Sequence, residues 1–392
     1  MSKAIVSIVC GLAVAAGVSS VSAQMLTTLA TFDGANGREP WAGLTLSGNL
    51  LYGTTRFGGA NNLGTVFSVP VTGGAVTTLA TFNGTNGARP LSVLILSGNT
   101  LYGITEGGGS SLIGTVFSVP VTGGTPTTLA TFDGTNGANP SAGLTLSGDT
   151  LYGTTRVGGA FERGTVFSVP VTGGAITTLG SFNGVHNGAN PRAGLTLLGN
   201  TLFGTTTGGE ASSTTRNGTV FSIPVTGGSF ATLATFDGAS GGNPSAGLIL
   251  SGNTLYGTTI GGGAGTRGTV FSVPIIGGTP TALASFNGTN GRESRAGLTL
   301  LGNTLYGTTF LGGASSLGTV FSVPVTGGTP TTLVTFDGTN GAQPRAGLTL
   351  SGNTLYGTTS VGGVNDGLGT VFALVLPFPC TADFNHDGTL DP

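Results

Sequence analysis

Charged side chains are scarce in this chain. Asp, Glu, Lys and Arg make up 7% of its 392 residues, whereas an ordinary globular protein contains roughly 25%. The formal net charge is −2, and there is no basic stripe that could neutralise the phosphates of a nucleic acid. There is also no polybasic segment for an anionic membrane surface. The composition therefore argues against a nucleic-acid partner and against electrostatic membrane binding.

Cysteine and histidine are almost absent. The chain contains two cysteines, Cys10 and Cys380, and two histidines, His186 and His386. Isolated histidines provide no ligand pair for a zinc site, and no Ser-His-Asp set is indicated. Nucleophilic hydrolysis by a triad and structural zinc are therefore not expected.

The first 23 residues have the pattern of a secretory signal peptide. Lys3 precedes an apolar run from Ala4 to Val18, and Val21-Ser22-Ala23 supplies the small residues of a cleavage site. The alternative is a transmembrane anchor, for which the run is short. After cleavage Cys380 would be the only cysteine, so the fold must rest on packing without an internal disulfide. We expect a secreted or cell-surface monomer with no membrane span after signal cleavage.

The chain is rich in glycine and is built from an internal repeat. It contains 76 Gly, and 38% of its residues are hydrophobic, which argues against disorder. A Phe followed by Asp-Gly or Asn-Gly recurs every 50 residues apart from one interval of 54, at Phe32, Phe82, Phe132, Phe182, Phe236, Phe286 and Phe336. A fixed period of this length is typical of repeat architectures.

Each period contains four strand signals separated by turns, which we call strands A to D. They are exemplified by strand A at Ala346–Leu350, strand B at Thr354–Thr359, strand C at 318–325 and strand D at Thr331–Phe336. Gly recurs in every window and no 3.6-residue periodicity is present, which argues against helices. Four short antiparallel strands repeated seven times predict an all-β fold, a seven-bladed β-propeller of four-stranded blades. The alternative is an open β-solenoid with the same period.

The two ends of the repeat region predict how the ring closes. The segment Leu26–Phe32 is a strand D without its own A, B and C, and Ala346–Leu376 supplies A, B and C without a D. We therefore expect the N-terminal strand to complete the last blade. A proline late in strand C, as at Pro70, predicts that the strand stops at the preceding residue. Gly53 within strand B predicts the close approach of a neighbouring backbone.

The repeat resembles known families. The order of an LYG strand, a Gly pair, a TVF strand and a TTLATF strand resembles a kelch repeat. The pattern LYGTT…GG…GTVF…GG…TL more closely resembles the GloVer-type tandem repeat of exported bacterial proteins, over about residues 26–376. That resemblance implies an exported, repeat-built protein without an enzymatic activity, joined to a variable C-terminal anchor. The predicted organisation is a signal peptide at 1–23, a propeller at 24–376, and a linker with a truncated calcium loop at 377–392.

The last segment resembles the start of a dockerin-type calcium repeat. Oxygen ligands stand at positions 1, 3, 5 and 9 of an EF-hand-like loop, with Gly388 at the sharp turn: Asp383, Asn385, Asp387 and Asp391. The bidentate acid of position 12 would be residue 394, so the loop is incomplete in this sequence. Calcium at this half-loop is the one cofactor that the sequence suggests. A disordered acidic tail is the alternative.

The Asp or Asn of the recurrent FDG or FNG motif is a second candidate for calcium. Its seven copies form a ring in the predicted propeller. Asn83 stands where Asp33 stands in the preceding copy, so a charged ligand is not required. An Asx turn that caps the backbone is therefore the favoured interpretation.

The loops between strands divide into a uniform set and a variable set. Because strands alternate in direction, the D–A and B–C loops share one face of the propeller, and the A–B and C–D turns share the other. The variable D–A and B–C loops carry most of the arginines and the only Trp, and Arg and aromatic residues are enriched in binding surfaces. The candidate binding residues are Arg38, Trp41, Arg56, Phe57, Arg156, Phe161, Arg163, Arg292, Arg295, Phe310 and Arg345. The alternative is that loops vary freely and hold the charge that buried blades exclude.

These patterns predict an exported, non-catalytic protein that acts as a binding or surface-display module for a protein or polysaccharide partner. The alternative is a propeller enzyme, a hydrolase or lyase acting on a carbohydrate or lactone. Sugar hydrolysis requires two carboxylates close together, and the acids, such as Glu39, Glu106 and Glu293, are scattered along the chain without an evident repeat position. Two or more carboxylates at the mouth of the central channel would favour the enzyme.

Overall fold

The computed structural model describes residues 25–185, 187–208, 217–364 and 367–377. Within these ranges the chain forms 29 strands, and no helix there has the length and apolar character needed to cross a bilayer. The predicted signal peptide and the predicted calcium ligands Asp383, Asn385, Asp387 and Asp391 lie outside the described residues.

The strands fall into the four predicted classes, and each class has seven members. Strand A is β2 Thr45–Ser47, β7 Ile95–Ser97, β11 Thr145–Ser147, β15 Thr196–Leu198, β19 Ile249–Ser251, β23 Thr299–Leu301 and β27 Thr349–Ser351. Strand B is β3 Leu50–Thr55, β8 Thr100–Gly107, β12 Thr150–Thr155, β16 Thr201–Thr206, β20 Thr254–Thr258, β24 Thr304–Thr309 and β28 Thr354–Thr359. Strand C is β4 Thr65–Pro70, β9 Thr115–Pro120, β13 Thr165–Pro170, β17 Thr219–Pro224, β21 Thr269–Pro274, β25 Thr319–Pro324 and β29 Thr370–Val375. Strand D is β5 Thr77–Thr81, β10 Thr127–Thr131, β14 Thr177–Ser181, β18 Ala231–Thr235, β22 Thr281–Ser285, β26 Thr331–Thr335 and β1 Leu26–Thr31.

The strands pair as seven antiparallel sheets in the order A-B-C-D, and we number these blades 1 to 7 from β2 onward. Blade 2 carries one additional strand, β6 (Ala88–Pro90), which pairs with β8. In blade 7 the N-terminal strand β1 pairs with β29, with Leu26 opposite Leu374 and Thr31 opposite Thr370. The prediction of a seven-bladed propeller closed by its N-terminal strand is confirmed.

Aromatic rings and threonine hydroxyls join each blade to the next. Phe32, at the end of strand D in blade 7, packs edge to face on Phe67 of blade 1 at 5.0 Å, and both rings are fully buried. The Thr358 hydroxyl of blade 7 donates to the Ala42 carbonyl of blade 1 at 3.0 Å. Because equivalent contacts recur between successive blades, each blade is buried on both faces, which accounts for the scarcity of charge.

Strand A is shorter than predicted. The segment Ala346–Leu350 was expected as a strand, but β27 begins only at Thr349. The Ala346 carbonyl accepts a hydrogen bond from Thr308 of blade 6 at 3.1 Å, and the Leu348 carbonyl accepts one from Thr299. These carbonyls therefore bind the preceding blade, and the segment forms the wall of the central channel.

The prediction that strand C stops before its proline is wrong, because the strand extends to Pro70, which pairs with Leu50. The next residue, Val71, donates its N–H to the Asn49 carbonyl at 2.9 Å. Since successive residues of a strand point their N–H groups to opposite sides, the proline nitrogen faces strand D. Pairing with β5 ends at Ser68, so the missing N–H interrupts no ladder bond.

The interpretation of Gly53 also needs correction. The expected neighbour was a backbone, but the residue opposite Gly53 in the sheet is Phe67. A Cβ atom on Gly53 would lie 2.5 Å from Cζ of the Phe67 ring. The glycine is therefore needed because this ring lies across strand B within the same blade.

Candidate binding site at the channel mouth

The central channel opens on the face that carries the D–A and B–C loops. Its mouth is formed by two repeat positions. The first is the residue before each Ala-Gly-Leu segment, which is Ser-Val-Leu in blade 2, and the second is the residue three positions after the strand B glycine, such as Gly53. The first position is occupied by Trp41, Leu91, Ser141, Arg192, Ser245, Arg295 and Arg345. The second is occupied by Arg56, Glu106, Arg156, Thr207, Ile260, Phe310 and Ser360. We call these fourteen residues the channel mouth.

A cavity of about 470 Å³ lies at the channel mouth and is lined by residues of all seven blades. Its floor and walls are small residues of the Ala-Gly-Leu segments, for example Ala193, Gly194 and Gly247. Glu106 is the only acidic residue in the lining, against four arginines, namely Arg156, Arg192, Arg295 and Arg345. The cavity is therefore positively charged within a protein whose net charge is −2.

Arginine and aromatic side chains alternate along one side of the mouth, and we call this row the stack. The Arg295 guanidinium lies 4.1 Å from the Phe310 ring centre, and Arg345 lies 4.3 Å from the same ring. Arg345 also lies 3.9 Å from the Trp41 ring, and Arg56 lies 4.0 Å from Trp41. Cation–π attraction at such distances holds each guanidinium in a fixed plane.

The carboxylates near the mouth form ion pairs with arginines. Arg56 lies 3.7 Å from Glu39 and 3.9 Å from Glu106, and Arg89 lies 3.3 Å from Glu106. Arg295 and Glu293 form a pair at 3.0 Å. The structure thus assembles at one mouth the acids that the sequence presents as scattered.

Glu39 and Glu293 occupy the same position of the repeat, two residues before Trp41 and Arg295. The expectation that the acids share no repeat position is therefore wrong. At this position every copy has a positive φ without being glycine, with 54° at Glu39, 56° at Arg89 and 56° at Glu293. Glu39 and Glu293 each stand seven residues after the Phe of the recurrent motif, so alignment of the repeats on Phe32 and Phe286 identifies the shared position.

Arg345 is the most constrained cation of the mouth. Partial burial, followed by repulsion from Arg295 and Arg56, lowers the pKa of Arg345 to about 10, and the attraction of Glu39 and Glu293 only partly offsets this. Its Nε atom is buried without a hydrogen-bond partner among the described residues. With a pKa of about 10, the side chain remains a cation at neutral pH. Its charge is stabilised by the faces of two rings. No carboxylate in the described part of the chain is in direct contact with it.

Further unpaired donors face the opposite side of the mouth. Partial burial, and then the charges of Arg156 and Arg295, lower the pKa of Arg192. The hydroxyl oxygens of Ser141 and Ser245 are buried, and neither has a hydrogen-bond partner within the described ranges. Both serines line the cavity at the position that holds arginine in blades 4, 6 and 7.

The predicted binding residues separate into two groups. Six belong to the mouth or its stack: Trp41, Arg56, Arg156, Arg295, Phe310 and Arg345. The other five lie further out in the loops: Arg38, Phe57, Phe161, Arg163 and Arg292. In this outer group Arg38 donates to Asn62 at 3.3 Å, and the Phe161 side chain is 56% exposed. The predicted set did not include Glu39, Arg89, Glu106, Ser141, Arg192, Ser245 or Glu293.

The Asp or Asn of the FDG or FNG motif caps its own loop. Asp133 accepts hydrogen bonds from the Asn136 N–H at 2.9 Å and the Thr135 hydroxyl at 2.7 Å, which lower the pKa of Asp133. Asn83 makes the equivalent bond to Asn86 at 3.0 Å. The Asx-turn interpretation is confirmed. Over the ranges that the structure describes, no group of three or more His, Cys, Asp and Glu side chains is placed to hold a metal ion.

Solved structures align with this chain at low identity. A puromycin-hydrolysing peptidase of Mycobacterium tuberculosis aligns with 87% of this chain and 52% of its own, at 14% identity and a TM-score of 0.51. A chain of the nidogen/laminin complex aligns with 61% of this chain and 76% of its own, at 16% identity and a TM-score of 0.41. A gluconolactonase of Xanthomonas campestris aligns with 67% of this chain and 79% of its own, at 15% identity and a TM-score of 0.41. The chain spans about half the length of the peptidase, and the likeness to the peptidase concerns the fold alone.

Sequence comparison identifies the repeat. Among curated proteins no relative matches. The family model of the Gloeobacter/Verrucomicrobia repeat matches residues 17–216 and residues 210–389, which together span nearly the whole chain. This protein belongs to the Gloeobacter/Verrucomicrobia repeat family.

Proposed function

We propose that this protein is an exported, non-catalytic binding module that uses the channel mouth to hold a polysaccharide partner. The observation that supports the proposal is the contrast between repeat positions. The residue two positions after the strand B glycine, Thr55 in blade 1, is threonine in all seven blades, whereas the mouth position directly after it holds Arg, Glu, Thr, Ile, Phe or Ser. A position that served packing alone would be expected to hold the same residue in each blade.

Backbone strain at the mouth supports the same proposal. Left-handed φ values favour Gly and Asn, and Asn139, Asn190 and Asn243 satisfy this preference in blades 3, 4 and 5. Blades 1 and 6 instead have Glu39 and Glu293, and each forms an ion pair with a mouth arginine. Strained residues cluster at ligand sites, where the surrounding structure holds them.

The enzyme alternative is favoured by one specific observation. Glu39 and Glu106 both lie within ion-pair distance of Arg56, so two carboxylates are indeed present at the channel mouth. Each of them contacts a guanidinium, however, and only Glu106 lines the cavity, so they do not form a free carboxylate pair there. We therefore retain a hydrolase or lyase acting on a carbohydrate or lactone as the second candidate.

A polysaccharide array probed with the purified chain would test the binding function. We expect at least one polysaccharide to be retained by the protein and released intact. The variant Trp41→Ala removes a ring of the stack, and we expect it to weaken retention. The outer-loop variant Phe161→Ala serves as the matched control and should bind as the parent does.

Three outcomes would contradict the proposal. Retention that depends on Phe161 and not on Trp41 would move the site to the outer loops. Cleavage of a bound glycan, abolished by Glu106→Gln, would establish the enzyme instead. If the protein retains none of the polysaccharides on the array, the proposal that the mouth binds a polysaccharide fails.

The C-terminal segment supports a second part of the proposal, a calcium-dependent anchor of the dockerin type. This part rests on the spacing of Asp383, Asn385 and Asp387 in the sequence. Calorimetric titration of the full chain with calcium is expected to release heat that the double variant Asp383→Ala/Asp387→Ala loses. A titration without heat at millimolar calcium would exclude the anchor as a calcium site.

A further inference from the structure

We infer that the channel mouth recognises an oxyanion, the carboxylate or sulfate group of an acidic sugar chain, and that the edge of the Arg345 guanidinium is its anchor. The inference rests on the proposed binding function and specifies its ligand. It goes beyond that function because a neutral polysaccharide would satisfy the function but not the inference.

The charge of the cavity is unbalanced. Four arginines line it, and the single acid of the lining, Glu106, is already paired with Arg89 at 3.3 Å. Arg156, Arg192 and Arg345 have no ion-pair partner in the part of the chain that the structure describes. Like charges held together in a partly desolvated site repel each other. An anion that enters the cavity would remove this repulsion, and charges of one sign in a cleft also attract it.

Two aromatic rings hold Arg345 in a defined orientation. Its guanidinium lies between the rings of Trp41 at 3.9 Å and Phe310 at 4.3 Å, so the two rings fix the guanidinium in place. Hydrogen bonds to a guanidinium are formed in its plane, through its N–H groups, and two such groups match the two oxygens of one carboxylate or sulfate. Nε of Arg345 is buried, so the terminal N–H groups are the donors that remain for a ligand. The stack thus holds a pre-organised donor for a planar or tetrahedral oxyanion.

The lowered pKa of Arg345 has the same physical origin. Burial and the nearby Arg295 and Arg56 destabilise its cation. A bound oxyanion would stabilise the cation and be stabilised by it, so the repulsion among these arginines becomes attraction for a ligand.

The cavity also has room and polar groups for the rest of the ligand. The buried Ser141 and Ser245 hydroxyls line the same cavity and have no partner among the described residues. Rotation of either side chain toward the cavity would allow its hydroxyl to exchange hydrogen bonds with a sugar hydroxyl. A volume of about 470 Å³ lies within the range of roughly 300–1,000 Å³ that is usual for ligand sites. An acidic sugar with its neighbouring residues is therefore of suitable size and polarity.

Two other candidates are weaker. A groove of about 760 Å³ runs along the outer edge between blades 7 and 1, and Asp33 is its only charged lining residue. Its lining comes mainly from strand D and turn residues that recur in every blade, so nothing distinguishes it from the other grooves between blades. Stacking of a neutral sugar on Trp41 is also disfavoured, because Arg56 and Arg345 already lie over this ring.

The test is isothermal titration of the full chain with three probes, an oligogalacturonate, a sulfated chondroitin oligosaccharide and a neutral cello-oligosaccharide. We expect binding of at least one of the two acidic probes, weakening as the ionic strength rises, and no binding of the neutral probe. The first two probes distinguish a carboxylate from a sulfate ligand.

Variants at Arg345 make the test specific. We expect Arg345→Gln to weaken binding by tenfold or more, and Arg345→Lys to restore only part of it, because Lys keeps the charge but not the paired donors. The matched control is Arg163→Gln, which removes an exposed arginine outside the mouth and should leave binding within twofold of the parent. Arg295→Gln provides a second mouth variant if Arg345→Gln fails to fold, as judged by its melting temperature.

The outcomes separate the inference from the proposed function. If the neutral probe binds as well as the acidic probes, and Arg345→Gln has no effect, the inference fails while the binding function stands. If no probe binds, or if Arg163→Gln weakens binding as much as Arg345→Gln, the mouth is not an oxyanion site. If Arg345→Lys binds the acidic probe as tightly as the parent does, recognition depends on the charge at this position and not on paired donors.

Discussion

The interfaces between blades and the channel mouth are built from the same repeats, but they tolerate change very differently. Between blades a hydrogen bond from a buried threonine hydroxyl to a carbonyl recurs, with Thr154 donating to Ala193 at 3.1 Å and Thr358 donating to Ala42 at 3.0 Å. At the mouth a single repeat position holds Trp41 in blade 1, Leu91 in blade 2 and Arg345 in blade 7.

The difference arises from the number of neighbouring structural elements against which a side chain must pack. A residue between blades touches its own sheet and the next copy, so every change meets a packed neighbour. A mouth residue faces a cavity and can change its size and charge at little cost. The residues between blades therefore determine the fold, whereas the residues of the mouth can change and so give the mouth affinity for a ligand.

The largest expected effect comes from removing the strand that closes the ring. Deletion of residues 24–33 removes β1 and the Phe32 ring that packs on Phe67 at 5.0 Å. We expect the free energy of unfolding to fall by more than the roughly 3–5 kcal/mol lost when a single buried Phe is truncated. Chemical denaturation of the deletion variant beside Phe32→Ala would measure both. An unchanged melting temperature would show that blade 7 does not depend on β1.

A smaller effect is expected from a single methyl group inside a blade. Gly53→Ala places a Cβ atom 2.5 Å from the Phe67 ring, and such overpacking typically costs about 1–3 kcal/mol. The control is Gly247→Ala, where the nearest atom would be 3.7 Å away and where blade 2 naturally has Val93. Equal melting temperatures for the two variants would contradict the claim that the ring excludes a side chain at position 53.

A change at the mouth should cost less than either of these. Trp41→Leu introduces the residue that blade 2 has at this position, and it removes cation–π contacts with Arg56 and Arg345. We expect a loss of about 1 kcal/mol, the usual size of such contacts. Urea denaturation would measure it. A loss as large as that of a buried core Phe would mean that the stack is part of the scaffold.

The smallest effect is expected at the loop tips and depends on pH. Hydrogen bonds from Asn136 and Thr135 hold the pKa of Asp133 below its ordinary value of 3.8. A carboxyl group whose pKa is lower in the folded state stabilises the protein above its unfolded pKa, and this contribution disappears as the pH falls through the folded pKa. We therefore expect that, below about pH 4, the stability of Asp133→Asn changes less with pH than the stability of the parent protein does. The control at neutral pH is the natural Asn83 loop, which shows that an amide fits.

The sequence predicted the scaffold well because its signals are local and repeated. The Phe motif and the four strand patterns specify the blades, and the unmatched strands at the two ends predict closure. Predictions that depended on neighbouring copies failed in part. The Ala346–Leu348 segment is not a strand because Thr308 and Thr299 of the preceding blade bind its carbonyls, and the residue that Gly53 accommodates is Phe67.

The sequence predicted which face of the propeller carries the candidate site, but not which residues of that face form it. The sequence placed arginines and aromatic residues in the D–A and B–C loops, but it could not separate the mouth, with Arg345 and Trp41, from the outer loops, with Phe161 and Arg163. Nor did it indicate that Glu39 and Glu106 share Arg56. These groupings depend on how far each loop reaches toward the channel axis.

The sequence by itself determined the number of blades, the order of strands within each blade and the face that varies, because each follows from a pattern within one repeat or between its two ends. The tertiary structure decided which side chains meet. Closing the ring brings Thr349 beside Leu44, 305 positions away in the chain, and the same closure places Arg345 of the last blade against Trp41 of the first. Seven loops that are far apart in sequence point to one axis, and only that convergence turns isolated arginines into a charged cavity.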